Sequence, residues 1–326
     1  MPSCRPQQSW SGAPGRLCVI GAGAWGRVIA VLLSGLGHDV RLCSARGRDL
    51  EQFVSERKRQ ASGSLEGFRS VEAAADGADA VFLAVSSLQV RAVARRLRPV
   101  SPVRVVSLSK GLEPGTGRRL SEIIGEELPG ARICILSGGS HAEEVVLGLP
   151  FALCAASRDV RTGACVKDWL AGSRAVVTVT DDVIGVELAA VFKNIVAIAA
   201  GVADGLELGD NFRGALISLG MHELSILLAG AGARAETALG PAGLGDLLAT
   251  ALSAHSRNRR FGLAVGRGLS RDAAVREAGA VVEGLNALEA CLGLGERIGV
   301  RLAVAERLRM ILLGAAPASS IANVLE

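Results

Sequence analysis

Leu17-Cys-Val-Ile-Gly-Ala-Gly-Ala-Trp-Gly26 is the stretch that decides the fold of this 326-residue chain. The apolar run 17–20 predicts a buried parallel strand, and the periodic apolar residues after the glycines predict a helix. Between them stand Gly21, Gly23 and Gly26, in the order strand, glycine turn, helix that is typical of dinucleotide binding. The first glycine allows a tight turn, the second lets a pyrophosphate approach the backbone, and the third lets the helix pack on the strand, with its N-terminus facing the phosphates. The alternative is a structural turn without a ligand.

Length and composition indicate a globular protein of about two domains with a sizeable core. Hydrophobic residues make up 49% of the chain and the mean hydropathy is +0.37. The most apolar stretch, 183–203, is interrupted by Glu187 and Lys193, so we expect no membrane insertion. Residues 1–15 lack the apolar segment of a secretory signal and predict a disordered leader. Without an export or anchor signal, we expect a cytoplasmic protein.

The charge balance favours a small anionic substrate over nucleic acid. The net charge of +4 is mild, and aromatic residues make up only 3% of the chain, with no tyrosine. A nucleic-acid groove would need clustered basic residues and stacking aromatics. Seven cysteines without a Cys-x-x-Cys motif predict reduced core residues. His141 and Glu143 have no second cluster of metal-ligand residue types to complete a site, so we expect no metal.

The second predicted strand ends at residues 44–46, where a ribose-binding Asp or Glu is expected about twenty residues after the glycines. The sequence there is Ser-Ala-Arg; Asp39 precedes the strand and Asp49 comes too late. Arg46, with Arg48 nearby, suits a 2′-phosphate instead. We therefore predict that NADP(H) is preferred and that NAD(H) is possible. The alternative is that both arginines are solvated loop charges.

The order of the predicted elements indicates an α/β fold with two parts. Strands and helices alternate to about residue 180, which predicts a doubly wound, Rossmann-type parallel sheet; residues 61–67 are predicted to be a glycine-rich loop. Helical patterns alone follow, including helices at 183–205 and 216–229. The predicted units are a dinucleotide-binding domain, 16–181, and an all-helical substrate and catalytic domain, 182–326.

Two of the four lysines stand in settings that indicate chemistry, because arginine serves for surface charge but not for proton transfer near neutral pH. Lys110 follows the strand at 103–108, and the carboxyl end of a parallel strand faces the ligand crevice. Lys193 lies in a helix that is apolar on all sides, where burial lowers the pKa of an ammonium and favours general acid–base catalysis. The alternatives are a solvated loop lysine at 110, and at 193 a snorkelling side chain or a structural ion pair with a carboxylate such as Glu187.

Three further segments carry polar residues in glycine-rich or helix-initiating settings. Asp246, in Gly240-Pro-Ala-Gly-Leu-Gly-Asp246, can cap a helix and also partner Lys193. The triplet Ser256-Arg257-Asn258 suits an oxyanion such as phosphate, because arginine forks onto two oxygens, although a basic surface helix start would look similar. The segment Ser137-Gly-Gly-Ser-His-Ala142 reads as a ligand loop at a strand end.

These pieces, in this order, resemble the bacterial NAD(P)-dependent glycerol-3-phosphate dehydrogenase family over nearly the whole chain. The motifs that carry the resemblance are Gly21-Ala-Gly-Ala-Trp-Gly26, Ser109-Lys-Gly-Leu-Glu113, Val191-Phe-Lys-Asn194, Gly243-Leu-Gly-Asp246, Ser256-Arg-Asn-Arg-Arg-Phe-Gly262 and Val281-Val-Glu-Gly284. The resemblance implies reversible reduction of dihydroxyacetone phosphate to sn-glycerol 3-phosphate, which supplies phospholipid synthesis.

The resemblance also implies roles for individual residues. Lys193 would donate the proton in reduction, Lys110 would contact substrate and cofactor, and Asp246 would set the field around Lys193. The implied substrate contacts are Lys110, Gly138, Ser140, Lys193, Asp246, Ser256, Arg257 and Asn258. The implied cofactor contacts are Gly21, Gly23, Ala24, Trp25, Gly26, Arg46, Lys110, Ala142, Arg257, Val281 and Glu283.

Departures from the family's pattern leave two alternatives open. The family usually has Gly-Pro-Thr/Ser-Phe where this chain has Gly138-Gly-Ser-His141, it has a Thr where this chain has Arg27, and its Asn-x-x-Tyr-Leu-Pro stretch is missing between Gln60 and Phe68. One alternative is an NADP(H)-binding sensor without turnover. The other is a dehydrogenase of another small phosphorylated carbonyl compound. The apolar helical part is compatible with a homodimer.

Overall fold

The computed structural model of the chain describes residues 14–44, 49–58, 62–279 and 282–325. Two of the sequence-predicted cofactor contacts, Arg46 and Val281, lie outside the described residues, as does most of the predicted leader, 1–13. Six cysteines lie within them, and all six are free and buried, in agreement with the prediction of reduced core residues.

The described residues contain one eight-stranded sheet, ordered β3-β2-β1-β4-β5-β6-β7-β8. The chain order reverses between β1 and β4, and this reversal opens a crevice beyond the carboxyl ends of the strands. The strands are β1 Arg16–Ile20, β2 Asp39–Cys43, β3 Ser64–Phe68, β4 Ala80–Leu83, β5 Arg104–Ser107, β6 Arg132–Ser137, β7 Phe151–Ala156 and β8 Ala175–Thr180. The predicted α/β class with a Rossmann-type sheet is confirmed.

Two features of the sheet differ from the sequence prediction. The predicted loop at 61–67 contains strand β3, an edge strand in which only Leu65 is buried, so its short polar sequence shows no apolar alternation. The sheet is also not parallel throughout, because β7 runs antiparallel to β6 and β8 follows the direction of β7. The link from β6 to β7 holds one five-residue helix, Ala142–Val146, and returns the chain beside β6 in the opposite direction.

Helices cover both faces of the sheet, and alternate residues of β1 show why. Leu17 and Val19 face one apolar core, and Cys18 and Ile20 face the other, because successive strand side chains point to opposite sides. The helices of this part are α1 Ala24–Gly35, α2 Leu50–Lys58, α3 Val71–Ala75, α4 Ser87–Leu97, α5 Leu120–Glu127, α6 Ala142–Val146 and α7 Val160–Trp169.

The residues after β8 are helical and build a separate apolar core around α8. The helices are α8 Val183–Gly205, α9 Gly209–Gly230, α10 Asp246–Leu252, α11 Arg257–Gly266, α12 Arg271–Ala278, α13 Glu283–Ile298 and α14 Ala303–Leu312. Helix α9 begins earlier than predicted, and a turn of π-helix, Pro241–Gly245, precedes α10. Helices α8 and α11 touch along their backbones: a Cβ on Gly262 would lie 2.0 Å from the carbonyl oxygen of Ile198. This approach fixes the start of α11 beside the middle of α8.

Two described helices, α8 and α9, are long and apolar enough to cross a membrane by length and composition alone. The most apolar window of α8 is 94% buried in the protein, and that of α9 is 44% buried. A core helix meets the same criterion, and the burial of α8 accounts for its composition. The absence of membrane insertion therefore stays a prediction.

Candidate active site

A cleft of about 710 Å³ lies where the carboxyl ends of the strands meet α8, α10, α11 and α13. It brings together residues from both parts of the chain. Those predicted from sequence that line it are Ala24, Trp25, Lys110, Gly138, Ser140, Ala142, Lys193, Asp246, Ser256, Arg257, Asn258 and Glu283. The roles assigned to them above stay predictions.

The glycine turn lies beneath the cleft and has the geometry that a pyrophosphate needs. Gly21 has a φ of +110°, and a Cβ on it would lie 2.4 Å from the carbonyl oxygen of Ala84. A Cβ on Gly26 would lie 1.9 Å from the carbonyl oxygen of Gly21, so α1 can pack here only on a glycine. Gly23, by contrast, faces open space.

The N-terminus of α1 fits the anionic part of a dinucleotide. Gly23 is its N-cap residue and provides no side-chain cap, and no acidic residue lies in the first turn. The first backbone N–H groups of a helix are unpaired within the helix, and its dipole favours an anion there. Gly23, Ala24 and Trp25 are thus suited to hold the pyrophosphate of NAD(P).

Lys193 is held at the cleft by two groups of α10. Its Nζ donates to Oδ1 of Asp246 at 2.5 Å and to Oγ1 of Thr250 at 2.9 Å. All three side chains are buried. An ammonium has three N–H donors, so one donor remains beyond these two hydrogen bonds. Because Lys193 lines the cleft, this donor is available to a bound substrate.

Lys110 approaches the same carboxylate from the sheet side. Its Nζ donates to Oδ2 of Asp246 at 2.7 Å and to the carbonyl oxygen of Gly138 at 3.4 Å. Its side chain is 24% exposed, against 7% for Lys193. Asp246 therefore bridges two lysines, one from the end of β5 and one from the middle of α8. Lys110 is therefore not a solvated loop lysine, and the carboxylate that pairs with Lys193 is Asp246 and not Glu187.

The two lysines differ in proton affinity because they differ in burial and neighbours. Burial lowers the pKa of Lys193 to about 8; Asp246 opposes this shift and the positive charge of Lys110 adds to it. Burial lowers the pKa of Lys110, but the charge and hydrogen bond of Asp246, together with the charge of Glu283, raise it overall. The pKa of Asp246 is lowered, since the two ammonium groups outweigh its burial. Lys193 is thus the member of the cluster that exchanges a proton near neutral pH.

Glu187 has a different role from the one that the sequence allowed. Its carboxylate accepts hydrogen bonds from the backbone N–H and the hydroxyl of Ser121, at 2.8 and 2.5 Å, and from Arg119 at 3.2 Å. Because Ser121 belongs to α5 and Glu187 to α8, this buried carboxylate fastens the helical part to the sheet part.

The start of α11 combines structural and cleft-facing groups. The Oγ of Ser256 caps the helix by accepting the N–H of Arg259, and Arg259 pairs with Asp204 at 2.7 Å. Arg257 lines the cleft, is exposed, and has no ion-pair partner within the ranges described. An unpaired guanidinium at a helix N-terminus suits a phosphate.

Asn258 belongs to a buried amide pair that joins three helices. Its Nδ2 donates to Oδ1 of Asn194 at 2.8 Å, and its Oδ1 accepts the backbone N–H of Gly284 at 3.0 Å. Asn194 follows the central lysine on α8, and Gly284 follows Glu283 at the start of α13. The pair therefore fixes the wall of the cleft opposite the sheet.

The loop after β6 crosses the cleft floor to α10. His141 Nε2 lies 2.9 Å from the carbonyl oxygen of Ala249, and the Oγ of Ser140 donates to the carbonyl oxygen of Gly138 at 3.2 Å. His141 is thus turned onto the helix that carries Asp246. In the described part of the chain, no group of three His, Cys, Asp or Glu side chains could hold a metal ion.

Sequence reasoning missed one polar member of the lysine cluster, Thr250. Its position four residues after Asp246, in a segment predicted to be helical, places both on one helix face. That spacing was a usable signal, but it identified no partner, since Lys193 comes from a distant part of the chain.

Comparison with known proteins agrees with this geometry. The sequence model of the family described as NAD-dependent glycerol-3-phosphate dehydrogenase N-terminus matches residues 16–163, and the family model of the C-terminus matches residues 182–323. The glycerol-3-phosphate dehydrogenase [NAD(P)+] of Geobacillus thermodenitrificans is 37% identical over 308 residues, which cover 91% of this chain and 90% of that protein. The enzyme of the same name from Clostridium perfringens is 35% identical, covering 95% and 96% respectively.

Solved structures give the same result. The crystal structure of glycerol-3-phosphate dehydrogenase from Coxiella burnetii superposes with a TM-score of 0.88 at 33% identity, covering 96% of this chain and 98% of that chain. Sequence and structural similarity both extend over the sheet part and the helical part. The chain belongs to the NAD-dependent glycerol-3-phosphate dehydrogenase family.

Proposed function

We propose that this protein is a glycerol-3-phosphate dehydrogenase that uses NAD(P)(H). It interconverts dihydroxyacetone phosphate and sn-glycerol 3-phosphate, a precursor for phospholipid synthesis. The observation that carries the proposal is the cluster in which Asp246 bridges Lys193 and Lys110 inside the cleft. A protein that only sensed the cofactor would need no proton donor there.

The chemistry requires a hydride at a carbonyl carbon and a proton at its oxygen. When bound, the reduced nicotinamide supplies the hydride. Lys193, as an ammonium, directs its remaining N–H to the substrate oxygen, neutralises the developing negative charge and then gives up the proton. The product carries the new C–H and O–H bonds, and Lys193 is left neutral. In the oxidation direction the neutral amine accepts the proton.

The neighbours of Lys193 prepare it for this role. Asp246 keeps part of the ammonium population charged despite burial, and Thr250 fixes the direction of Nζ. Lys110 adds a second positive charge near the reacting oxygen and lowers the pKa of Lys193 towards neutrality. A donor whose pKa lies near the working pH loses and regains its proton readily in each turnover.

The polar groups at the start of α11 and in the loop after β6 would hold the substrate. We assign the phosphate to Arg257 with Ser256 and Asn258, and the rest of the substrate to Gly138, Ser140 and Lys110. The residues that would hold the cofactor are the glycine turn with Ala24 and Trp25, then Lys110, Ala142, Arg257 and Glu283. Arg46 and Val281, which belong to the same proposal, lie outside the described residues.

The experiment is an initial-rate assay of dihydroxyacetone phosphate reduction, with NADPH and NADH in parallel. Rapid oxidation of NADPH with slower oxidation of NADH supports both the reaction and the predicted preference. Equal rates with the two cofactors support the proposed reaction but contradict the predicted preference for NADPH. No oxidation of either cofactor by protein that binds NADPH contradicts the proposal and favours the sensor, or another phosphorylated carbonyl substrate.

The remaining parts of the proposal concern organisation. We infer a division near residue 181, a cytoplasmic location without membrane insertion or nucleic-acid partner, and a homodimer. Light scattering on the purified chain measures the oligomeric state directly, and limited proteolysis tests whether the segment between β8 and α8 is cut first.

A further inference from the structure

Arg27 holds an unusual position beside the glycine turn. Its Nε donates to the carbonyl oxygen of Ala22 at 2.9 Å, and its Nη2 pairs with Oδ2 of Asp49 at 2.6 Å. The guanidinium also lies over the ring of Phe53, with 4.7 Å from Cζ to the ring centroid. The side chain therefore joins the turn between Gly21 and Gly23 to the segment that follows β2.

Arg27 thus connects the glycine turn to the segment after β2, the two parts of such a sheet near which the adenosine ribose of a dinucleotide is bound. In a sheet of this topology the pyrophosphate lies on the glycine turn, and the ribose hydroxyls face the residues after the second strand. Ala22 lies within the turn. Asp49 comes too late in the sequence to be the ribose-binding residue itself, six residues after the end of β2 at Cys43, but its ion pair with Arg27 connects this segment to the turn.

The ion pair is unequal in burial, and this inequality decides which partner can be replaced. The side chain of Arg27 is 27% exposed, whereas that of Asp49 is 61% exposed. The guanidinium is held from one side by a carbonyl oxygen and from below by an aromatic ring, which fixes its plane. Asp49 is the more exposed partner, and its pKa is lowered chiefly by the hydrogen bond that it accepts from Arg27.

Arg27 also has donor capacity to spare. Nε and Nη2 are used, but across the described ranges the two N–H groups of Nη1 have no acceptor. A phosphate monoester accepts two parallel N–H bonds from one guanidinium and carries more negative charge than a carboxylate. It can therefore accept from the Nη1 donors that no described residue uses, and displace Asp49.

We propose that Arg27 binds the 2′-phosphate of NADP(H), and that Asp49 occupies its guanidinium when this phosphate is absent. The inference rests on the proposed use of NADP(H) and adds a second cation to Arg46, which the sequence assigned to the same group. Asp49 thereby acts as a built-in competitor: it sets how strongly the site prefers a cofactor with the extra phosphate, without contacting the reacting atoms.

The test measures binding and is independent of turnover. The probes are adenosine 2′,5′-bisphosphate and 5′-AMP, which differ only in the 2′-phosphate, and the readout is the ratio of their dissociation constants by calorimetry on the full chain. Arg27→Thr is expected to weaken binding of the bisphosphate by about 10-fold or more, as for loss of a charged hydrogen bond, and that of 5′-AMP by less than about 3-fold. Asp49→Asn removes the competing charge at nearly constant shape and is expected to tighten binding of the bisphosphate.

The matched control is Arg301→Thr. Arg301 pairs with Glu306 at 3.3 Å on the surface of the helical part and is 82% exposed, so its loss changes the net charge equally. The ratio of the two dissociation constants in this control variant is expected to equal that of the unmodified chain, which would exclude a general effect of net charge. Should Arg27→Thr fail to fold, Asp49→Asn decides the question alone.

An unchanged ratio in Arg27→Thr would overturn the inference. If that variant does not fold, an unchanged ratio in Asp49→Asn would overturn it. So would an equal loss of affinity for both probes in Arg27→Thr, since that would assign Arg27 to the pyrophosphate turn. These outcomes are distinct from failure of the proposed function, which the assay with dihydroxyacetone phosphate measures.

Discussion

Lys193 and Asp246, which lie 53 residues apart in the chain, meet at 2.5 Å between Nζ and Oδ1 inside the cleft. Neither residue could remain charged alone at this depth, because an unpaired buried charge is costly. Together they keep an ammonium whose pKa lies at about 8, close to the pH at which it has to act. This ion pair is the structural basis of the proposed acid–base step.

Replacing Lys193 with alanine is expected to lower turnover by about three orders of magnitude or more, because general acid catalysis and charge stabilisation are lost together. Binding of NADPH is expected to persist, since the glycine turn is untouched. Stopped-flow or initial-rate assays give the turnover, and fluorescence titration gives the binding. Lys167→Ala, on the exposed face of α7, is the matched control and should leave turnover unchanged. Near-normal turnover of Lys193→Ala would remove Lys193 from the mechanism.

The pH dependence of the two directions should be opposite. Reduction needs the ammonium form of Lys193, so its rate is expected to fall as the pH rises through about 8. Oxidation needs the neutral amine and is expected to rise over the same range. Measuring the rates of both reactions at saturating substrate, from about pH 6 to about pH 10, checks this expectation. Two limbs that move in the same direction would contradict it.

Asp246→Asn is expected to move that limb to lower pH by about one unit or more, because the carboxylate is the group that raises the pKa of Lys193. Turnover at neutral pH falls because less of the lysine is protonated. Lowering the pH should restore part of the reduction rate in this variant. If the limb stays at about 8 while activity falls, Asp246 acts through packing and not through charge.

Thr250 is expected to act as a positioning residue. Its hydroxyl accepts from Lys193 and donates to Oδ1 of Asp246 at 3.4 Å. Thr250→Val keeps the shape but removes both hydrogen bonds, and should cost about 10-fold in kcat with a smaller effect on KM. Thr250→Ser should recover most of the loss. Equal kcat in the valine and serine variants would show that only packing matters at this position.

Glu223 should make the folded state less stable as the pH rises. Its side chain is buried on α9, its Oε1 accepts the N–H of Val304 at 2.7 Å, and burial raises its pKa from 4.5 to about 7. The folded state holds this proton more tightly than the unfolded state does. The resulting gain in the free energy of unfolding is therefore fully present below pH 4.5 and is lost as the pH rises to about 7. The loss amounts to about 3 kcal/mol at most.

Glu223→Gln carries the neutral form at every pH and can still accept the N–H of Val304. Urea unfolding is measured at about pH 5 and about pH 8, on either side of the expected loss of stability. The variant is expected to be about as stable as the unmodified chain at the lower pH and clearly more stable at the higher pH. A parallel decline of both proteins with pH would assign the dependence to other groups.

The sequence indicated most of the fold because its local signals agreed with one another. The glycine spacing, the strand and helix alternation and the apolar all-round pattern of α8 all indicated the same arrangement, a Rossmann-type sheet followed by a helical part with a buried central helix. Strand β3 was missed because an edge strand buries few residues and so lacks a periodic pattern. The antiparallel direction of β7 was missed because strand direction depends on how the link folds back, which no residue pattern near 151–156 encodes.

The sequence by itself determined which residue types were available for the chemistry: a lysine at a strand end, a lysine in a buried helix, an aspartate in a glycine turn and an arginine at a helix start. Only the tertiary structure decided which of them meet. Lys110 and Asp246 lie 136 residues apart, and the contact between them exists only because the fold brings the start of α10 to the loop after β5. The same holds for Arg27 and Asp49. The sequence states which side chain stands at each position, whereas the distances between side chains, their burial and the resulting pKa values are properties of the folded chain.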